Sequence, residues 1–126
     1  MHLYVVVLHP TERHFIVIRR LLAHCTVTDL GRAEDWYARL LGRGPDARPM
    51  PGLIEWHLGD SYGLQVWSEP DRAGQSSVVL EETDLDEAAA LAAEVGIVHD
   101  GPRPGGGARI LQLADPDGNR VVLTGA

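Results

Sequence analysis

From Ala33 onward the apolar residues Ala33, Trp36, Tyr37, Leu40 and Leu41 recur at helical spacing, and Gly42 follows as a stop signal. The arrangement returns later with Ala88, Leu91, Ala92 and Val95, ended by Gly96. These patterns predict helices near 31–41 and 86–95, and Asp84 followed by Glu87 fits a capping box at the start of the second. Short β-branched and apolar runs flank each helix. "AHCTV" and "SVVLE" precede the helices, while "LIEWHL" with "YGLQVW" and "RILQLA" with "RVVL" follow as strand pairs joined by turns.

The two halves match in more than pattern. "TDLGRAEDWYARLLG" begins at Thr28 and "TDLDEAAALAAEVG" at Thr83, and the same offset relates Leu58 to Leu113 and Asp60 to Asp115. An internal repeat of this length points to two copies of one supersecondary unit. That unit is β-α-β-β, with room for one more short strand in the loop after each helix. The fold class expected is α+β. The second unit closes on "DPDGNRVVL", a polar turn in which Asp-Pro and Gly118 set the reversal before an apolar strand. Residues 1–20 fall outside the repeat. "LYVVVL" and "HFIVIR" around "HPTER" read as two further strands, expected to extend a sheet or to cover a neighbouring subunit.

The two-copy plan, "TDLGRAEDWYARLLG" and "DPDGNRVVL" together resemble the vicinal oxygen chelate superfamily. That group includes glyoxalase I, bleomycin-resistance proteins, fosfomycin-resistance proteins and extradiol dioxygenases. The resemblance covers roughly residues 21 to 124. It implies a single domain over 21–126, with module one at 21–68 and module two at 76–124, and with 1–20 as an N-terminal extension. It further implies an incomplete barrel of two βαβββ modules around a pocket, and a homodimer. Metal-dependent members use four inward-facing His, Glu or Gln side chains. Carried onto this chain, those positions fall on Leu22, Gln65, Ser77 (or Val78 if the strand slips by one) and Val122. Leucine and valine offer a hard cation nothing, so no metal and no cofactor is expected there.

Strand alternation suggests what occupies the pocket instead. If Leu22 faces it, so do His24 and Thr26, leaving Ala23, Cys25 and Val27 under the helix. If Ile54, Trp56 and Leu58 form the apolar face of their strand, Glu55 and His57 turn to the pocket, with Gln112 as the repeat-equivalent of His57. Gln65 and Trp67 face the same way. The candidate ligand-binding set is therefore His24, Glu55, His57, Gln65, Trp67, Val79, Gln112 and Val122, a polar half opposite a mainly apolar half that also holds Ile110. Trp36, Tyr37 and Trp56 are expected in the core, and Cys25 as an inert buried thiol. "RPGGGAR" lacks the Lys-Ser/Thr ending of a phosphate loop and is expected to be a flexible loop at the pocket mouth.

Charge and composition narrow the function classes. The chain has 126 residues and a formal net charge of -7, and its 11 basic residues are all arginine, in no basic run. That gives no footprint for nucleic acid or an anionic membrane. One cysteine excludes an internal disulfide and a Cys-rich zinc site. No transmembrane run or signal-peptide pattern is evident, which makes a cytoplasmic protein the default. Two functions compete. One is a metal-independent protein that binds a small organic, partly aromatic ligand, as bleomycin-resistance proteins sequester a drug. The other is a lyase or isomerase of glyoxalase or dioxygenase type, with a non-standard metal site or with His57 or Glu55 as a metal-free general base.

Overall fold

The computed structural model describes residues 14–126. Its first half runs β1 (Leu21–Val27), α1 (Leu30–Leu41), β2 (Ala47–Met50), β3 (Leu53–His57) and β4 (Tyr62–Ser68). A short 3-10 turn at Pro70–Arg72 leads into the second half, β5 (Ser77–Glu82), α2 (Leu85–Glu94), β6 (Arg103–Gly105), β7 (Ala108–Ala114) and β8 (Arg120–Gly125). Each half forms its own four-stranded sheet, ordered β1-β4-β3-β2 and β5-β8-β7-β6. In each, the first strand lies parallel to the last and the other pairs are antiparallel. The two βαβββ modules are thus present, and the sheets stay open.

Local chemistry starts and stops the helices as expected, with one difference. Asp29 caps α1 by accepting from the Arg32 N–H at 3.0 Å, and Gly42 ends it in the left-handed conformation. Asp84 caps α2 by accepting from Glu87 N at 3.1 Å, but Glu87 does not complete the box, because the Asp84 N–H points to Glu82 Oε1. The buried stripe of α2 also differs. Leu85, Ala89 and Ala92 are buried, whereas Leu91 and Val95 are exposed. The small alanines let the helix sit close on its sheet, and Leu91 and Val95 turn instead into a cleft between the two helices. In the first module Tyr37 lies edge-on to Trp36 (centroids 4.8 Å apart) and tilted against Trp56 (6.0 Å), over Cys25, Val27, Leu64 and Val66.

The "DPDGN" turn fastens the modules together. Asp115 and Asn119 are buried. The Asn119 amide donates to Thr26 O of β1 and to Asp115 Oδ2, both at 2.8 Å, and its Oδ1 accepts from Ser76 N at 2.8 Å. Asp115 Oδ2 also accepts the Tyr37 hydroxyl of α1 at 2.8 Å, and Asp117 takes both the N–H and the hydroxyl of Thr28. Gly74 packs so closely on this knot that a Cβ there would stand 2.5 Å from Asp117 O, and its φ of +83° excludes most other residues as well.

Three expectations need correction. The offset between the halves is not constant. His24 pairs with Gln65 and Gln65 with Glu55, while Val79 pairs with Val122 and Val122 with Gln112. Gln112 therefore stands where Glu55 stands, not where His57 does, because the segment between α2 and β7 is two residues longer than its counterpart. "RPGGGAR" is a β6–β7 hairpin and not a loop, turned at Gly106 and Gly107, both at positive φ. Of the two strands expected before β1, "LYVVVL" lies outside the described residues. Over 14–20 the chain has no strand, and Phe15, Ile16, Val17 and Ile18 are exposed, since no described strand offers their backbone a partner. Among the described residues no helix is long and apolar enough to cross a membrane.

Candidate functional site

Both helices and both first strands line one cleft of about 830 Å³, which places the helices on the same side of the paired sheets. Among the described residues the other face of each sheet carries no helix. Alternation sends Cys25, Val27, Val78 and Leu80 toward the helices and His24 and Val79 to the open side, as their burial reflects. The candidate residues gather there in rows. His24, Gln65 and Glu55 sit side by side on β1, β4 and β3, with His57 one pleat along β3. Val79, Val122 and Gln112 form the matching row of the second sheet.

In the first sheet the row is a continuous hydrogen-bonded chain. His24 Nδ1 lies 3.3 Å from Gln65 Oε1, Gln65 Nε2 donates to Glu55 Oε2 at 2.6 Å, and His57 Nε2 lies 3.0 Å from Glu55 Oε1. Arg20, 3.7 Å from the same oxygen, adds a cation. Glu55 is 5% exposed although it faces the open side, because these neighbours cover it. Its burial would raise the carboxyl's pKa. Hydrogen bonds from Gln65 and His57, with the charges of Arg20 and His57, outweigh that and hold it below the usual carboxylate range. Trp67 is half-buried, its ring set against the backbone at Gly52, and its indole N–H reaches Glu69 Oε2 at 3.2 Å.

The second sheet is less apolar than expected. Val79 is 66% exposed and Val122 half-buried, but Gln112 accepts from Arg103, and Arg120 is exposed on β8. Sequence reasoning missed Arg20, Arg103 and Glu69. Arg20 belongs by pattern to the N-terminal extension outside the repeat, and only the β6–β7 hairpin brings Arg103 to Gln112. A second difference concerns enclosure. Of the eight candidate residues only Val79, although its strand position alternates to the open side, also borders the 830 Å³ cleft. The other seven lie on the face that the described residues leave open.

The positions that the resemblance assigns to metal ligands do not suit a metal. Leu22 and Val122 have no donor atom, Ser77 has a hydroxyl, and both ends of the Gln65 amide are already hydrogen-bonded. Among the described residues no three His, Cys, Asp or Glu side chains are grouped to hold a metal ion. Cys25 is no candidate nucleophile. Burial pushes its thiol up to about 11, with a lowering contact from Tyr37 and a further raising by the Asp115 charge.

Comparison with family sequence models finds no match, and comparison with curated protein sequences finds none. Solved structures do match. A glyoxalase/bleomycin resistance protein from Catenulispora acidiphila is 30% identical with a TM-score of 0.78, over 85% of this chain and 97% of that one. TnmS3, an antibiotic-binding protein from a Streptomyces species, is 25% identical with a TM-score of 0.74, over 89% and 98%. A bleomycin-binding protein in complex with bleomycin is 25% identical with a TM-score of 0.68, over 85% and 96%.

Proposed function

Because the chain belongs to the glyoxalase/bleomycin resistance family, we propose that it is a metal-independent binding protein that sequesters a small, partly aromatic organic molecule. The observation that carries this reading is the open face itself. A polar row of His24, Gln65, Glu55 and His57 lies beside the Trp67 ring, and apolar or hydroxyl side chains stand at three of the four positions of a metal set, Leu22, Ser77 and Val122. Aromatic surface with a few convergent polar groups is the usual chemistry of an organic-ligand site. The antibiotic-binding and bleomycin-binding neighbours support it.

Closure of the site is assigned to a second copy of the chain. The open faces and the exposed Phe15, Ile16, Val17 and Ile18 favour a homodimer that covers both. A thermal-shift screen against antibiotics and aromatic metabolites tests the function, with metal analysis and a chelator control beside it. Ligand-induced stabilisation that survives the chelator is expected. A stoichiometric metal beside Gln65 would overturn the reading, and a monomer by light scattering would overturn the dimer. An enzyme remains the competing reading, supported by the His57–Glu55 pair at 3.0 Å, which could orient a base. Recovery of the bound molecule unchanged, rather than as product, separates the two.

A further inference from the structure

We infer that Glu55, acting through Gln65, locks the neutral His24 ring as its Nδ1–H tautomer and leaves Nε2 as a bare acceptor. The group received on the first sheet is then a hydrogen-bond donor, an amide, amine or hydroxyl hydrogen, and not an oxyanion. This deepens the binding function proposed above and rests on it.

The chain of contacts allows one direction only. Glu55 is buried and hydrogen-bonded by Gln65 and His57, and as a carboxylate it can only accept. Two oxygens at 2.6 Å would repel, so Gln65 must turn its NH₂ to Glu55 and its oxygen to His24. The Gln65 oxygen accepts, so His24 Nδ1, at 3.3 Å, must carry the proton. A neutral imidazole has one N–H, and the partner of one nitrogen decides the state of the other. His24 Nε2 has no partner among the described residues and belongs to an exposed side chain. The same logic runs through His57. In the neutral ring its Nε2 donates to Glu55 Oε1 at 3.0 Å, so its Nδ1 is the bare nitrogen.

Two lone pairs thus border a carboxylate whose charge is matched by Arg20 at 3.7 Å. An incoming carboxylate or phosphate would meet acceptors on both rings. A donor would find partners, with the Trp67 ring available to its aromatic part. Glu55 and Gln65 are positioning residues in this scheme, and His24 is the contact.

Long-range ¹H–¹⁵N correlation spectra at alkaline pH read the tautomers with no ligand present. Wild type is expected to show Nδ1–H for His24 and Nε2–H for His57. In Gln65→Leu, His24 should revert to the Nε2–H form that free histidine prefers, while His57 is unchanged. Glu55→Gln keeps the side chain's size but frees the Gln65 amide to flip, and it should also erase the His24 preference. An Nε2–H His24 in wild type, or an Nδ1–H form that persists in both variants, overturns the inference. Benzamide and benzoate then test the ligand class. Benzamide should shift the His24 Nε2 resonance at about tenfold lower concentration than benzoate, a difference of one hydrogen bond. Equal effects, a stronger effect of benzoate, or no shift with either, overturns the donor class. Failure of the tautomer leaves the binding function standing, whereas failure of every antibiotic and metabolite to bind removes that function while the tautomer can still be read.

Discussion

Replacing Asn119 by alanine should loosen the joint between the modules. The side chain is fully buried and makes three hydrogen bonds, to Thr26 O, Asp115 Oδ2 and Ser76 N, each at 2.8 Å. They do not weigh equally. Thr26 O keeps the Gly74 N–H at 3.2 Å, and Asp115 Oδ2 keeps the Tyr37 hydroxyl at 2.8 Å, so both acceptors lose one partner of two. The Ser76 N–H has no other partner among the described residues and bears the full cost, about 1–3 kcal/mol. With about 1 kcal/mol for each weakened acceptor, the loss should be about 3–5 kcal/mol. A domain of this kind has only about 5–15 kcal/mol in total, so the variant should fold but melt early. Tyr37→Phe removes one bond to a carboxylate that still holds Asn119, and should cost about 1.5–3 kcal/mol. The two converge on Asp115 Oδ2. In the double variant that oxygen is left bare, so the losses should exceed their sum by about 1 kcal/mol or more. Urea unfolding of the four proteins measures the cycle. An Asn119→Ala loss under about 1 kcal/mol, or strict additivity, would refute the role given to this turn.

Other consequences can be measured separately. Glu55 is held below its unfolded pKa, so its contribution to stability should be complete above the ordinary carboxylate range and lost as pH falls through the folded value; urea midpoints of Glu55→Gln should lack that part of the acid limb. The Cys25 thiol, buried and raised to about 11, should resist Ellman's reagent at neutral pH until the protein is unfolded. Val122→Glu should cost about 1–2 kcal/mol, because the half-buried site lets the carboxylate reach water, and should weaken binding of aromatic compounds without creating a metal site, as metal analysis and the thermal-shift screen would record.

Much of this protein was written locally. The helical spacing around Trp36 and Tyr37, Asp29 and Gly42 at the ends of α1, and period-two alternation along β1, β3 and β4 made the modules legible and placed His24, Glu55, His57, Gln65 and Trp67 on one face. Those signals work because caps and strand alternation depend on neighbours within a few residues. Tertiary structure decided what depends on distance. The pairing of Gln112 with Val122 depends on loop length, which periodicity does not record, so the repeat appeared two residues out of place. Asn119 read as an ordinary turn residue, and only the docking of β1 and α1 against it turned it into a buried joint between modules. Arg20 near Glu55 and Arg103 on Gln112 are likewise contacts between separate strands and segments, with no pattern in the chain to announce them. The faces that the described residues leave open follow from the same cause: what closes a surface lies outside the segment that forms it.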